Sequence, residues 1–205
     1  MSDLRKYSQA EFFPPEDIRQ IQESLLRAHL AYCVRESPFY RRKLRKLGRR
    51  LSRITRAGLA ELPFTDKRDL ERFNDDFLAV PPSRIVDIVL SSGTTGKPTR
   101  VMYTDRDLQR LAYNEEQSFA GLGMTARDVV LLTCTIDRCF VAGLAYFLGV
   151  RSIGAAAIRN GHGSLESHMQ VIRRMKPTAI IGVPTFLRKL GLTMREQGMN
   201  PRRAG

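Results

Sequence analysis

The chain has 205 residues, of which 42% are hydrophobic and 8% aromatic, so it can bury the core of one domain. Its formal net charge of +13 at pH 7 favours contact with anionic groups. No apolar stretch approaches the ~18 residues that cross a bilayer, and the N-terminus lacks the apolar core of a signal peptide. We therefore expect a cytoplasmic protein without membrane insertion. Three cysteines and three histidines show no metal-ligand spacing, so we expect no metal site built from them.

The first 80 residues are predicted to form a helical layer that packs on the rest of the chain. Apolar residues recur at helical spacing after Pro14 and Pro15, and prolines are favoured in the first turn of a helix. The layer is predicted to contain three helical segments: an amphipathic helix from about 14 to 35, a basic amphipathic segment from 41 to 56 that is broken near Gly48, and a short capped helix that begins at 65–66.

Residues 81–205 are predicted to form an α/β subdomain in which strands and helices alternate. The predicted strands are 85–90, 100–103, 129–135, 155–158 and 178–183, and the predicted helices are 105–119, 138–148, 164–176 and 185–197. From Val129 onward this βαβ order predicts a mostly parallel sheet. Because ligands bind at the carboxyl ends of such strands, we expect the loops after Thr135 and Val183 to reach the same cleft.

The basic segment between Arg41 and Arg56 carries nine lysines and arginines. Leu44, Leu47, Leu51 and Ile54 give it an apolar stripe at helical spacing. We favour a solvated helix face whose stripe packs on the domain. The alternatives are binding to nucleic-acid phosphate, to an anionic membrane surface or to the phosphates of coenzyme A. We do not expect nucleic acid as a partner, because the sequence shows no known nucleic-acid module and no interleaved aromatic residues.

A nine-residue motif, SSGTTGKPT, follows the first predicted strand and has the composition of a phosphate-binding loop. Glycines allow the backbone to approach a ligand, hydroxyls hydrogen-bond to anionic oxygens, and a lysine adds positive charge. The candidate nucleotide-binding residues are Ser91, Ser92, Gly93, Thr94, Thr95, Gly96, Lys97 and Thr99. The motif is not a Walker A loop, because only two residues separate Gly93 from the Gly96-Lys97 pair. The alternative is a polar linker between two strands.

The motif resembles the phosphate-binding signature of the adenylate-forming enzymes. Two upstream segments, SPFYRRKL at 37–44 and LPFTDKRDL at 62–70, and one downstream segment, KPTAIIGVPTFL at 176–187, resemble the phenylacetate–coenzyme A ligase branch. The resemblance implies a two-step reaction in which a carboxylic acid reacts with ATP to an acyl-adenylate and then with coenzyme A to a thioester. It also implies Mg²⁺ as a cofactor and Lys97 as the catalytic residue that supplies charge to the phosphates.

Enzymes of this family are about twice as long as this chain. The resemblance places their adenine and magnesium motif, their ribose aspartate and a C-terminal domain with a further lysine after the region matched here. We therefore expect an N-terminal portion of such an enzyme, inactive alone or completed by a separate C-terminal half. Relatives of this branch are often dimers, which makes a homodimer possible. The alternative function is a non-catalytic module that binds a nucleotide or another polyanion.

The acyl pocket of this branch is shaped by residues after the strand that ends near Thr135. Phe140 is the candidate aromatic wall of the pocket and Pro184 a candidate for its floor. Asp137 and Arg138 depart from the small apolar residues expected there, which puts phenylacetate itself in doubt. The two charged residues either attract a more polar acid or form an exposed pair at the start of a helix.

Overall fold

The computed structural model describes residues 9–91 and 98–200, apart from the side chain of Glu11. The chain divides into two compact units, Met1–Thr104 and Asp105–Gly205, and each is described by itself. The domain boundary that the sequence places at residue 80 stays a prediction. No helix within the described ranges is long and apolar enough to cross a membrane.

The first unit begins with the helical layer that the sequence predicts. Its α-helices are α1 (Pro15–Glu36), α2 (Pro38–Lys43) and α3 (Lys67–Arg72), and its described 3₁₀ segments are Ala10–Phe12, Arg45–Arg53, Ala57–Glu61, Asn74–Phe77 and Pro82–Arg84. Pro15 occupies the first turn of α1, as predicted. The predicted cap of the short helix is also confirmed: Asp66 and Asp69 form a reciprocal capping box at the start of α3.

The basic segment departs from the predicted helix in its geometry. Arg45–Arg53 forms 3₁₀ turns rather than α-helix, and the predicted break occurs at Gly48, where φ is 46° and ψ is −128°. Only glycine adopts such a conformation without steric cost, so the chain cannot continue one helix through this point. The apolar stripe is therefore divided between two short turns.

An aromatic cluster joins α2 to the turn that follows α3. Phe39 is buried and stacks on Phe77, with 3.9 Å between ring centroids. Tyr40 contacts both rings, and Phe73 contacts Phe39. Aromatic side chains bury large areas, and such ring pairs add about 0.5–1.5 kcal/mol each. This cluster anchors the short helices, which could not form stably alone.

A β-hairpin completes the first unit. Strands β1 (Ile85–Leu90) and β2 (Arg100–Thr104) pair antiparallel, with Leu90 opposite Arg100 next to the connecting loop. Both strands lie where the sequence predicts them. The loop that joins them carries the SSGTTGKPT motif, so the ends of this motif are set by the hairpin register.

The second unit has the predicted βαβ order. Its helices are α4 (Asp105–Gly121), α5 (Val141–Ile153), α6 (Leu165–Met175) and α7 (Pro184–Glu196), and its strands are β3 (Val129–Leu132), β4 (Ala156–Arg159) and β5 (Ala179–Ile181). The strands form a parallel sheet in the order β4-β3-β5. This confirms the predicted α/β class and the parallel sheet.

The central strand β3 divides the core of the second unit into two layers. Val130 and Leu132 pack with Phe119 of α4 and Val150 of α5 on one face of the sheet. Leu131 points to the other face, where it packs with residues of α6 and α7: Met169, Ile172, Leu190 and Met194. The continuous apolar run of β3 follows from this arrangement, because a parallel strand covered by helices on both faces has no polar side.

Asp128 connects the turn before β3 to the residue before β5. Its carboxylate accepts hydrogen bonds from the Thr125 amide at 2.7 Å, the Thr178 hydroxyl at 2.7 Å and the Thr125 hydroxyl at 3.1 Å. These bonds favour the ionised form, so the pKa of Asp128 lies below its usual value, chiefly because of the Thr125 amide. The stabilisation from this carboxylate is present above the unfolded-state pKa of about 3.9 and is lost as the pH falls through the lower folded-state pKa.

We predict that Asp128→Asn lowers the free energy of unfolding at pH 7 and flattens its decline below about pH 4. The reason is that an amide cannot titrate and accepts fewer charge-assisted hydrogen bonds. Urea unfolding at a series of pH values measures this. Glu196→Gln, at an exposed position at the end of α7, is the control and should leave the profile unchanged. An unaltered acid limb in Asp128→Asn would refute the assignment.

Candidate functional site

Two reciprocal hydrogen bonds close the base of the SSGTTGKPT loop. The Ser91 amide donates to the Thr99 carbonyl at 3.0 Å, and the Thr99 amide donates to the Ser91 hydroxyl oxygen at 2.9 Å. Thr99 is buried, with 6% of its surface exposed. We call this pair the loop clasp. It holds the two ends of the loop together at the tip of the hairpin.

Asn74 attaches the hairpin to the helical layer directly beside the loop clasp. Its side-chain amide donates to the Arg100 carbonyl at 3.0 Å and accepts from the Arg100 amide at 3.1 Å. The Arg100 guanidinium also pairs with Asp75. A side-chain amide that satisfies both backbone groups of one residue fixes that residue in position. The sequence offered no motif for this contact, because Asn74 is distant from Arg100 in the chain.

Most of the predicted nucleotide-binding residues lie outside the described residues. They are Ser92, Gly93, Thr94, Thr95, Gly96 and Lys97. The structure places Ser91 and Thr99 at the base of the loop, where the Ser91 oxygen already accepts one hydrogen bond. The Ser91 hydroxyl retains its own proton for donation to a ligand. The binding roles of all eight residues stay predictions.

A second candidate region lies at the carboxyl edge of the parallel sheet. The Thr133 amide and hydroxyl both donate to the Ile181 carbonyl, at 2.9 and 3.1 Å. The amides of Asn160 and Gly161 donate to the Leu132 carbonyl at 3.3 and 3.2 Å. The ends of β3, β4 and β5 therefore meet at one place, as expected for a ligand-binding edge.

Glycines make this meeting of strand ends possible. A Cβ atom at Gly143 of α5 would lie 1.7 Å from the Thr135 carbonyl oxygen, and a Cβ atom at Gly182 would lie 1.9 Å from the Thr133 hydroxyl oxygen. Neither distance is physically possible, so a side chain at either position would have to displace the Thr135 carbonyl or the Thr133 hydroxyl. Gly149 has a different role: its missing side chain lets α5 approach Glu115 of α4 closely.

The turn before α5 differs from the sequence prediction. The helix begins at Val141 rather than Arg138, because Arg138 and Cys139 both have left-handed backbone conformations, with φ of 59° and 57°. Such conformations cost roughly 1–2 kcal/mol for each non-glycine residue. The strand before it also ends earlier than predicted, at Leu132 rather than Thr135. No ion pair joins Asp137 to Arg138, both of which lie in the described part of the chain.

The two predicted acyl-pocket residues follow neighbouring strands. Phe140 precedes α5 on the β3 side and is 44% exposed. Pro184 is the first residue of α7 on the β5 side and is also exposed. Their placement at the carboxyl edge agrees with the expectation that both loops reach one cleft, while their contact with a substrate stays a prediction.

The cysteines and histidines form no metal cluster in the described ranges 9–91 and 98–200. Burial raises the pKa values of the Cys33 and Cys134 thiols, so these thiols are protonated at neutral pH. His168 is fully buried in α6, with its Nδ1 atom 2.9 Å from the Ser164 carbonyl and its ring against Phe186. Cys134 and His168 are thus buried side chains, and Cys33 is half-buried.

Comparison with known proteins decides the family. A family model described as AMP-binding enzyme matches residues 19–204, nearly the whole chain. The chain belongs to the AMP-binding enzyme family. The loop clasp therefore closes a loop in an AMP-binding fold, which confirms the resemblance that the motif indicates.

Curated relatives place the chain in the N-terminal part of this family. It is 33% identical over 196 residues to the phenylacetate-coenzyme A ligase of Thermus thermophilus, covering 93% of this chain and 43% of that protein. It is 32% identical to the enzyme of the same name from Pseudomonas putida, covering 90% of this chain and 42% of that protein. The chain thus spans less than half the length of these AMP-binding enzymes.

The fold agrees with a solved AMP-binding enzyme. A 2-hydroxyisobutyryl-CoA ligase, solved in complex with 2-HIB-AMP and CoA, superposes with a TM-score of 0.85 and 26% identity, covering 94% of this chain and 43% of that structure. This agreement confirms the predicted adenylate-forming fold for the N-terminal portion.

We predict that Gly143→Ala and Gly182→Ala each destabilise the protein by about 1–3 kcal/mol, because the added methyl group must displace Thr135 or Thr133. Gly191→Ala in α7 is the matched control. No atom lies within 4 Å of its Cβ position, so alanine there should stabilise the helix by about 0.4–1 kcal/mol. Urea denaturation measures all three, and equal effects at the three sites would contradict the crowding.

We predict that Ser91→Ala destabilises the protein by about 1–3 kcal/mol, because the buried Thr99 amide loses its acceptor. Ser91→Thr, which retains a hydroxyl, should recover most of this loss. Ser118→Ala removes an exposed hydroxyl that donates to the Asn114 carbonyl and serves as a control with little effect. Thermal unfolding measures the differences. If Ser91→Ala unfolds at the same temperature as the wild type, the hydroxyl bond of the loop clasp contributes nothing to stability.

Proposed function

We propose that the protein activates a carboxylic acid with ATP and transfers the acyl group to coenzyme A, with this chain supplying the N-terminal portion of the enzyme. The observation that carries the proposal is the loop clasp at the base of the SSGTTGKPT motif in an AMP-binding fold. The relatives named phenylacetate-coenzyme A ligase and the ligase solved with an acyl-adenylate and CoA support it.

In the first step the loop holds the β- and γ-phosphates of ATP, so that pyrophosphate is oriented as the leaving group. Hydroxyl groups of Ser92, Thr94 and Thr95 donate to phosphate oxygens, and Gly93 and Gly96 expose backbone amides to the same oxygens. Lys97 neutralises charge that develops on pyrophosphate as the acid attacks the α-phosphate. Fixed donors at such a position are usually the largest single contribution to catalysis.

The loop clasp contributes by pre-organisation. Because the ends of the loop are fixed by Ser91, Thr99 and the Asn74 contact to Arg100, fewer loop conformations must be given up when the nucleotide binds. The arrangement also keeps both loop ends on a hairpin whose register is set by five paired positions.

We propose that Mg²⁺ binds together with the nucleotide. No group of three His, Cys, Asp or Glu side chains within residues 9–91 and 98–200 could hold a metal ion. The described residues therefore do not form a magnesium site of their own. In the proposal Mg²⁺ binds with the phosphates and with residues that the family resemblance implies beyond the matched region.

The acyl group is proposed to bind at the carboxyl edge of the parallel sheet, between Phe140 and Pro184. The strained turn at Arg138 and Cys139 fits this role, because unfavourable backbone conformations are retained mainly at functional sites. Arg138 has no acidic partner in the described ranges, so it is available to an acid with a second polar group. This favours a polar carboxylic acid over phenylacetate as the substrate class.

The remaining part of the enzyme is proposed to come from polypeptide equivalent to the unmatched part of the relatives, on this chain or on a separate one. That part would supply the adenine, ribose and coenzyme A contacts. We also propose that the enzyme is located in the cytoplasm and forms a homodimer.

We predict that Lys97→Ala slows release of pyrophosphate from ATP by about a hundredfold in the intact enzyme, when a carboxylic acid is supplied. Thr94→Ala should have a smaller effect in the same direction. Lys189→Ala, which removes an exposed lysine of α7, is the charge-matched control and should react at the wild-type rate. A coupled pyrophosphate assay measures the rates. Unchanged rates in both loop variants would refute the loop assignment.

The alternative function, a non-catalytic module for nucleotides or other polyanions, is favoured only by the net charge of +13. The two functions differ in their response to salt. Binding of a polyanion weakens steeply as the ionic strength rises. Adenylation instead depends on which acid is present, and high salt should not abolish that selectivity.

A further inference from the structure

The segment between Arg45 and Arg56 is an unbalanced cationic surface. No acidic residue occurs between 37 and 60. Six cations lie within the twelve positions 45–56: Arg45, Lys46, Arg49, Arg50, Arg53 and Arg56. All six are exposed. Their side chains form no ion pair with any residue that the structure describes. By contrast, the two preceding cations are paired, Arg42 with Asp76 and Lys43 with Asp69.

The same segment borders an apolar cavity. The cavity has a volume of about 250 Å³, and its wall includes four aliphatic side chains, Leu47, Leu51, Ile54 and Leu62. The charged residues of the wall are Arg50, Arg53 and Glu61, so the cations outnumber the one carboxylate. Drug-sized ligands usually occupy about 300–1,000 Å³. The cavity therefore suits a short alkyl segment with an anionic group near the two arginines.

Exposed apolar side chains follow the cations directly in the chain. Leu59 is 46% exposed and Phe64 is 91% exposed. Because its side chain is exposed to water, an exposed phenylalanine gains nearly the full free energy of burial when it contacts an apolar surface. Cations and exposed apolar side chains thus occur together in one stretch of twenty residues, 45–64.

The chemistry of this stretch favours lipid over nucleic acid. Nucleic-acid surfaces usually provide several aromatic rings on which bases stack. In contrast, Phe64 is the single aromatic residue in the sequence of 45–64, and the cavity wall carries four aliphatic side chains and no aromatic ring. Six cations also exceed what a single small anion needs. Basic clusters beside apolar side chains are typical of segments that lie on anionic membranes.

We propose that residues 45–64 bind the surface of an anionic lipid bilayer. Arg50 and Arg53 pair with lipid phosphates, the cavity accepts an alkyl segment, and Phe64 enters the interfacial region. This binding is peripheral and agrees with the finding that no helix of the described chain could cross a membrane. The inference goes beyond the proposed enzyme function and does not depend on it.

The test is sedimentation of the 205-residue chain with lipid vesicles. Vesicles of phosphatidylcholine with about one third phosphatidylglycerol should bind the protein at low ionic strength, and vesicles of phosphatidylcholine alone should bind it far less. Each arginine near the surface contributes about fivefold, so R50Q/R53Q should weaken binding by roughly 25-fold. Raising the salt concentration to about 0.5 M should release the protein, because exposed charges are then screened.

Two variants keep the test independent of folding. R188Q/K189Q removes the same charge from exposed positions of α7 and should bind like the wild type. Phe64→Ser alters a side chain that is 91% exposed, so it should preserve the fold and still weaken vesicle binding severalfold. Far-UV circular dichroism checks that all variants remain folded.

Three outcomes would overturn the proposal. The first is absence of binding to anionic vesicles at low salt, and the second is equal weakening by R50Q/R53Q and R188Q/K189Q. The third is binding of single-stranded RNA of matched charge that is tighter than vesicle binding and is not weakened by Phe64→Ser. That result would assign the surface to nucleic acid instead. Vesicle sedimentation does not depend on adenylation, so failure of the proposed enzyme function would leave its result unchanged.

Discussion

The complete burial of β3 is the constraint on which the second unit depends. Val130 and Leu131 expose no surface, and Leu132 exposes 1%. Each residue faces one of two helical layers, so a polar side chain at any of the three positions would be buried without partners. Because both faces are covered, a ligand can reach this strand only at its ends, and parallel sheets usually bind ligands at the carboxyl end. The proposed acyl site lies at this end for that reason.

The two candidate regions are built by different means. The SSGTTGKPT loop is held at its base by hydrogen bonds between its ends and by the Asn74 amide, which are polar contacts at the tip of a hairpin. The carboxyl edge of the sheet instead depends on close approach at two glycines, Gly143 to the Thr135 carbonyl and Gly182 to the Thr133 hydroxyl. The proposed roles, a loop that contacts a polar ligand and a rigid pocket wall, agree with these two kinds of construction.

One face of the β1–β2 hairpin is apolar and half exposed. Val86, Ile88 and Leu90 alternate along β1 and are each about half exposed, at 57%, 51% and 48%. A two-stranded sheet with an apolar face is marginal by itself. More than half of the length of the phenylacetate-coenzyme A ligase from Thermus thermophilus lies outside the match, so ample polypeptide exists in such relatives to cover this face.

The sequence predicts the order and type of the elements well, because strands and helices here carry strong local signals. The apolar run of β3 and the capping box at Asp66 and Asp69 are examples. It failed at Arg138 and Cys139, where a left-handed turn occurs without glycine. It also could not reveal the Asn74 contact with Arg100 or the crowding at Gly182, since both depend on residues distant in the chain. The basic segment was predicted to break at Gly48, but the 3₁₀ geometry around it was not.

The most direct test of the account is exchange of labelled pyrophosphate into ATP by the protein as the cell makes it. The account predicts that exchange requires a carboxylic acid, proceeds without coenzyme A and is fastest with an acid that carries a second polar group. Exchange that is absent with every acid, or that proceeds equally well without one, would contradict the claim that this fold activates carboxylic acids.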